Sequence, residues 1–209
     1  FLSSALAYLP PQVPVTVIND ASTDDTGEYI SHLQGKYAFK VLVNTANINQ
    51  AGSINRAVAE SDNNLFIVLN ADDVLTRYAF WAVVTVLQNY DTVRLVGGGS
   101  IHFDDPALLA KNAAFPEQLP YLPQPSIFQP GDAYNFAAPN DINMTMSGCA
   151  FLRSAWQAVG GFWDFARRVC SFDDRDFQMR VCALFPVAVL PEPLAFYRVN
   201  GSVGRGRCI

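Results

Sequence analysis

LFIVLNADDVL, residues 65–75, is an apolar run that ends abruptly in two adjacent carboxylates. Its apolar half is predicted to form a buried strand, so Asn70, Asp72 and Asp73 would emerge at the carboxyl end, where open α/β sheets bind ligands. Carboxylate and amide oxygens gathered there suit a hard divalent cation. The alternative is structural, because one of the two aspartates would equally cap a helix starting near Leu75.

Strand and helix signals alternate on both sides of this stretch. Ser22, with Asp25 three residues later, resembles a capping box that opens the first helix. The strands are predicted at Val15–Ile18, Phe39–Val43, Leu65–Leu69 and Val93–Val96, and the helices at about Ser22–Leu33, Ala51–Glu60 and Leu75–Tyr90. This alternation is typical of an α/β fold with a mostly parallel sheet and helices on both faces.

The alternating pattern dissolves between Ser100 and Met146, a segment rich in proline and aromatic residues. Segments of this length in compact domains are usually functional lids, binding loops or disordered stretches. Regular structure then returns, with extended segments predicted at Cys149–Leu152, Val187–Leu190 and Leu194–Val199 and a helix at Asp174–Leu184. No repeat or linker is visible, so residues 1–209 are predicted to form one domain.

Composition excludes several classes of protein. Half of the 209 residues are apolar, which permits a large core and excludes a disordered chain. The net charge is −5 and there is no long basic tract, so a nucleic-acid partner is not expected. No apolar run reaches the roughly 20 residues of a transmembrane helix. We expect a cytoplasmic protein, attached at most peripherally to the inner face of the membrane.

Four segments carry a family resemblance: VTVINDASTDDT at 15–26, NINQAGSINRAV at 47–58, LNADD at 69–73, and SGCAFLRSAWQAVGGF at 147–162 with SFDDRDFQMR at 171–180. In order and spacing they resemble the inverting nucleotide-sugar glycosyltransferases of family 2, which have the GT-A type fold. The matching family segments are a nucleotide loop, a donor-side helix start, the metal-binding DxD motif, and an acceptor-side segment with an acidic catalytic motif. The likeness covers about Leu6 to Ser202.

The resemblance implies that residues 1–99 bind a nucleoside diphosphate sugar, with a UDP-sugar or dTDP-sugar expected. Donor contacts are implied for Asp20, Asn47, Asn55, Asn70 and Asp72. Asp20 would meet the nucleobase, although capping of the following helix is its structural alternative. Turn formation explains Asn47 equally well. Mn²⁺ or Mg²⁺ would be held by Asp72 together with Asn70 or Asp73.

The resemblance also implies an acceptor half at residues 147–209, with residues 100–146 as a variable lid. Asp174 would act as general base on the acceptor hydroxyl, and Asp173 would orient the site or the acceptor. The structural alternative for both is a helix N-terminus, where carboxylates meet the macrodipole favourably. The hydroxyl would belong to a glycan, a lipid-linked glycan or a protein.

Three departures from the family pattern leave the activity open. Asn70 stands where the family commonly has aspartate, and Asn200 stands where many relatives carry a histidine near the metal. Relatives usually have a strand ahead of the helix that matches Phe1 to Leu9, so we expect a fragment of a longer protein. The alternatives to an active transferase are a nucleotide-sugar-binding relative that has lost turnover and, third, a nucleotidyltransferase of similar architecture.

Overall fold

The computed structural model describes residues 1–105, 107, 109, 123–132, 144–163 and 173–199. The helices within these ranges are α1 (Leu2–Ala7), α2 (Thr26–Gln34), α3 (Asn49–Ala59), α4 (Ala79–Asn89), α5 (Arg153–Val159) and α6 (Asp173–Leu184). The strands are β1 (Thr16–Asn19), β2 (Lys40–Val43), β3 (Leu65–Ile67), β4 (Val74–Leu75), β5 (Leu95–Phe103), β6 (Ser126–Phe128), β7 (Ala150–Leu152) and β8 (Val187–Arg198). The predicted α/β class is confirmed.

The strands form two sheets. β1 and β2 pair with each other, and the larger sheet has the order β3-β7-β5-β8-β4, with β6 also paired to β8. The two longest ladders, β1 with β2 and β5 with β8, are parallel, whereas the shorter ladders are antiparallel. In the described part of the chain, β1 pairs only with β2 and β3 pairs only with β7.

Helices cover both faces of the larger sheet, as predicted. Phe151 in β7 belongs to a buried cluster with residues of α3, α5 and α6, including Phe177 and Val181. Its neighbour Ala150 belongs to a second cluster with Val83 and other residues of α4. Successive side chains of a strand point to opposite faces, so one short apolar strand contributes to both cores.

The capping box predicted at Ser22 and Asp25 is wrong. α2 begins at Thr26 with Asp25 at its N-cap position, and no side chain caps it. The backbone N–H of Ser22 instead donates to Asn19 Oδ1 at 2.9 Å. The loop after β1 therefore satisfies its own backbone, and neither Ser22 nor Asp20 is used to start the helix.

The helix predicted from Leu75 is also wrong at its start. Val74 and Leu75 form β4, which pairs antiparallel with Phe196 and Ala195 of β8, and α4 begins only at Ala79. Both strand residues are almost completely buried. The pairing with distant β8 overrides the helical periodicity, and it removes the capping explanation for Asp72 and Asp73.

The predicted lid includes two stretches of strand that its sequence pattern did not predict. β5 continues to Phe103, seven residues beyond the strand predicted to end at Val96, and β6 lies within the predicted loop. Most of the remaining lid, and Asn200, lie outside the described residues. Among the described helices, none combines the length and the hydropathy that crossing a bilayer would require.

Candidate active site

Residues 70–73, here called the metal loop, follow β3 as the sequence predicted. Two backbone hydrogen bonds continue the pairing of β3 and β7 up to this loop, from Val68 N to Cys149 O at 3.0 Å and from Gly148 N to Val68 O at 2.8 Å. The loop closes on itself through a bond from Asp73 N to Asn70 O at 3.1 Å. Polar oxygens thus collect where β3 ends, beside β7.

Asp73 does not face a ligand, because its side chain is fully buried. Oδ2 accepts from Ser147 Oγ at 2.5 Å, and Oδ1 accepts from Arg198 N at 3.0 Å. Burial, reinforced by the charge of the neighbouring Asp72, raises the pKa of this carboxyl despite these bonds. The arrangement disfavours the predicted metal contact of Asp73 and indicates a role inside the protein.

Asp72 is the available carboxylate of the metal loop. Its side chain is half-buried, and no residue in the described ranges donates a hydrogen bond to it or pairs with its charge. Its backbone carbonyl is held by Arg198 Nε at 3.1 Å. Asn70 Oδ1 accepts from Gln50 Nε2 at 2.9 Å, which leaves one lone pair of the amide oxygen uncommitted.

Asp20 connects the loop after β1 with Asn44, at the end of β2, and with Ile48, at the start of α3. Its Oδ1 accepts from Asn44 Nδ2 at 2.7 Å and from the backbone N–H of Ile48 at 2.9 Å. Asn44 is itself buried and donates from the same amide nitrogen to Ser53 Oγ at 2.9 Å. These bonds leave Oδ2 of the half-buried Asp20 as the oxygen available to a nucleobase.

Asn47 forms a local turn, in agreement with the structural alternative. Its Oδ1 accepts from Asn49 N at 3.2 Å, and its Nδ2 donates weakly to Asp20 O at 3.5 Å. Asn49 itself has φ of 60°, a left-handed conformation that asparagine tolerates better than most residues. Asn47 is exposed, so a ligand contact is compatible with this turn.

Asn55 connects α3 with the segment after α5. Its Nδ2 donates to Phe162 O at 2.7 Å, while its Oδ1 accepts from Phe162 N and from Trp156 Nε1, both at 2.8 Å. A groove of about 580 Å³ runs beside Asn55, Trp156 and Gly160. Protein groups occupy both lone pairs of Oδ1 and one of the two N–H groups of Nδ2, which disfavours the predicted donor contact of Asn55.

Asp173 and Asp174 begin α6. Asp173 is buried, and Asp174 is half-buried with Oδ1 accepting from Arg175 N at 2.7 Å. Burial raises the pKa of Asp174, outweighing that hydrogen bond and the charge of Arg175. A carboxylate placed only to favour the helix dipole would be stabilised in its charged form, so this direction favours a chemical role for Asp174.

The turn at residues 146–149 interacts with both acidic segments. Ser147 binds the metal loop, whereas Cys149 lies within electrostatic reach of Asp174. Burial, with a smaller contribution from the Asp174 carboxylate, raises the pKa of the Cys149 thiol to about 12. The metal loop and Asp174 therefore interact with the same short segment of chain, although 102 residues separate Asp72 from Asp174 in the sequence.

The metal loop suits a divalent cation that is shared with a substrate. Among the described residues, no three His, Cys, Asp or Glu side chains gather into a metal site of their own. Mg²⁺ is commonly held by one or two carboxylates plus substrate phosphates, so a complete protein cage is not required. The uncommitted Asp72 carboxylate and the Asn70 amide oxygen fit that kind of site.

Several residues that shape the site were not predicted. Ser147, Asn44 and Gln50 all bind predicted site residues through their side chains. Asn44 directly follows β2, and that polar residue at a strand end was a usable signal. Ser147 and Gln50 gave no comparable signal, because their partners lie far away in the sequence.

The chain is similar to proteins of one known family. The model of Glycosyl transferase family 2 matches residues 1–158. An uncharacterized glycosyltransferase of Nostoc sp. is 24% identical over 204 residues, which cover 96% of this chain and 60% of that protein. The chain thus spans less than two thirds of the length of this curated relative.

Two solved structures show the same fold at low sequence identity. Staphylococcus aureus TarS 1–349 in complex with UDP-GlcNAc superposes with a TM-score of 0.70 at 12% identity, covering 98% of this chain and 56% of TarS 1–349. The mannosyltransferase PcManGT of Pyrobaculum calidifontis, in complex with GDP-Man and Mn²⁺, gives 0.61 at 17% identity, covering 93% and 50%.

Proposed function

Because the chain belongs to glycosyltransferase family 2, we propose that it moves one sugar from a nucleoside diphosphate donor to a hydroxyl acceptor with inversion at the anomeric carbon. The observation that carries this proposal is that residues 147–149 interact with both acidic segments: Ser147 bonds to Asn70 and Asp73, and the charge of Asp174 acts on Cys149. A UDP-sugar or dTDP-sugar is the proposed donor, and the UDP-GlcNAc complex of TarS supports the uridine form.

Asp174 is the proposed general base. The acceptor O–H transfers its proton to the carboxylate while its oxygen forms a bond to the anomeric carbon, and the bond from that carbon to the diphosphate oxygen breaks. Oδ1 is occupied by Arg175 N, so Oδ2 is the oxygen that receives the proton. A raised pKa makes this carboxylate a stronger base than an exposed aspartate, as the reaction requires.

Asp72 and Asn70 are the proposed ligands of Mn²⁺ or Mg²⁺. When bound, the ion supplies positive charge next to the departing diphosphate. Asp20 is proposed to accept from the nucleobase through Oδ2, and the exposed Asn47 stays a possible donor contact. Asp173 is proposed to orient the first turn of α6 and with it the base.

A second candidate function is nucleotide-sugar binding without turnover. Asn70 favours it, because an amide replaces one charged ligand and already accepts a bond from Gln50. An amide oxygen is a weaker ligand for a hard cation than a carboxylate, so metal affinity would fall. The two candidates differ in whether a nucleoside diphosphate is released.

A screen of nucleotide-sugars with and without Mn²⁺, measuring the release of nucleoside diphosphate, tests the proposal. We expect metal-dependent release that falls at least roughly 100-fold in Asp72→Ala. Asp91→Asn, at an exposed position outside the site, is the matched control and should keep full activity. Binding without release would support the second candidate, and release of pyrophosphate would indicate a nucleotidyltransferase.

We propose that residues 1–99 form the donor half, residues 100–146 the lid and residues 147–209 the acceptor half of one domain. The acceptor is proposed to be a glycan, a lipid-linked glycan or a protein, and the location cytoplasmic, at most peripheral to the inner membrane face. Assays with each class of acceptor test the proposed acceptor. Measuring the activity in separated cell fractions tests the proposed location.

A further inference from the structure

The hydroxyl group of Ser147 joins both ends of the metal loop. It accepts from Asn70 N at 3.1 Å and donates to Asp73 Oδ2 at 2.5 Å. Ser147 is 1% exposed and Asp73 is fully buried, so water does not compete for either bond. One buried hydroxyl therefore links the first and the last residue of the loop, in addition to the direct bonds from Asp73 N to Asn70 O at 3.1 Å and from Asn70 Nδ2 to Asp73 Oδ2 at 3.4 Å.

Ser147 is held in place by contacts that do not involve the metal loop. Thr145 N donates to Gly98 O at 3.1 Å, and Cys149 N donates to Met146 O at 2.9 Å. Gly148 adopts φ of +87°, and a Cβ there would lie 2.7 Å from Leu194 Cβ. The segment that carries Ser147 is thus fixed against β5 and β8, and its position is passed to the loop through one side chain.

The other side of the loop is held by β8. Arg198 N donates to Asp73 Oδ1, and Arg198 Nε donates to the backbone carbonyl of Asp72. Asp73 is therefore bound from two elements at once, by Ser147 and by Arg198. These bonds hold the backbone on both sides of Asp72 while leaving its carboxylate uncommitted.

From this arrangement we infer that Ser147 is a positioning residue for the cation site, acting through Asp73 and the backbone of Asn70. The inference rests on the proposed function, since it concerns the ion that Asp72 and Asn70 would hold. A divalent ion needs its oxygen ligands at set distances and angles, and residues that orient the ligands typically change metal affinity or activity by roughly 10- to 100-fold when mutated.

The test measures cation binding directly. Mn²⁺ is titrated into the chain in the presence of UDP by calorimetry, and UDP binding without metal is measured separately. We expect Ser147→Ala to weaken Mn²⁺ binding by roughly 10- to 100-fold while metal-free UDP affinity stays unchanged. If Ser147 had only a general structural role, its loss would weaken Mn²⁺ binding and metal-free UDP binding together, or neither of them. A change in Mn²⁺ binding alone therefore separates the two explanations.

Thr76→Val is the matched control. The half-buried Thr76 hydroxyl donates to Pro193 O at 3.0 Å, not to the metal loop or to Ser147. The substitution keeps the shape of the side chain and removes only the hydroxyl, so Mn²⁺ affinity should match that of the wild type. Equal weakening in both variants would overturn the inference.

Asp73→Asn provides a second variant in case Ser147→Ala does not fold. If the two residues act as one unit, Asp73→Asn should weaken Mn²⁺ binding only partly, and the double variant should be no weaker than the worse single variant. Complete loss of Mn²⁺ binding in Asp73→Asn, as in Asp72→Ala, would make Asp73 a ligand and overturn the inference. Additive effects would overturn it as well.

Failure of the proposed function gives a different result. A wild-type chain that binds neither Mn²⁺ nor UDP would reject the proposed function and this inference together. A wild type that binds both, with a folded Ser147→Ala variant of equal Mn²⁺ affinity, would reject only the positioning role.

Discussion

Asn55 in α3 holds both backbone groups of Phe162, 107 residues away, through its single side-chain amide. The two hydrogen bonds are 2.7 and 2.8 Å long. Phe162 in turn stacks on Phe177 of α6, with ring centroids 3.9 Å apart and an interplanar angle of 15°. Phe162 therefore connects α3 with α6, the helix that carries Asp174.

Asn55→Ala tests whether this tie is structural. It removes three hydrogen bonds and leaves buried groups of Phe162 and Trp156 without partners, so we expect a loss of about 2–4 kcal/mol in the free energy of unfolding. Urea unfolding measures it. UDP affinity, extrapolated to the fully folded protein, should be unchanged.

Asn89→Ala is the control for that experiment. Its exposed side chain makes one bond to Thr85 O within α4, so the change in stability should be small. A stable Asn55→Ala variant with weakened UDP binding would restore Asn55 as a donor contact.

Alanine substitutions at two glycines in left-handed conformations distinguish the cost of backbone strain from the cost of steric overlap. Gly148 and Gly160 have φ of +87° and +74°, but only Gly148 is close to other atoms, whereas a Cβ at Gly160 meets nothing within 4 Å. Gly160→Ala should cost about 1 kcal/mol through strain alone. Gly148→Ala should cost about 2–4 kcal/mol, because overpacking against Leu194 is added. Thermal unfolding compares the two, and equal losses would exclude the steric contribution.

The rate of sugar transfer should report the raised pKa of Asp174. A base must be deprotonated to accept a proton, so the acid limb of kcat/KM should have its midpoint above the roughly 3.9 of an unperturbed aspartate. Asp174→Asn should lower kcat by roughly 10²- to 10⁴-fold and remove this limb from any residual rate. A variant that keeps the wild-type profile would exclude Asp174 as the base.

The same substitution should increase stability at neutral pH. The pKa of Asp174 is higher in the folded than in the unfolded chain, so the folded state binds more protons between the two values and stability falls as pH rises through that window. Asp174→Asn removes the buried charge. Its free energy of unfolding should exceed that of the wild type at pH 7, and the difference should vanish below about pH 3.9. A less stable variant at pH 7 would contradict the assigned effect of burial.

Local sequence patterns predicted much of the fold and part of the site. The apolar run before Asn70 placed β3 and the metal loop correctly, because a short strand is recognisable from a few consecutive apolar residues. The predicted burial of this strand is wrong, since Leu65, Phe66 and Ile67 are only half-buried. The resemblance found the family from four short segments, and the match over residues 1–158 confirms it. The start of α4 was predicted wrongly, because the local helical pattern competed with strand pairing to β8.

The sequence alone determined that carboxylates follow an apolar strand and that acidic residues open a late helix, since both depend on neighbouring residues. Only the tertiary structure decided which carboxylate is available. Asp72 and Asp73 are adjacent and chemically identical, yet Ser147 and Arg198, 74 and 125 residues beyond Asp73, enclose one and leave the other half-exposed. Burial and hydrogen bonding across such separations arise from packing of distant elements, which no short window of sequence contains.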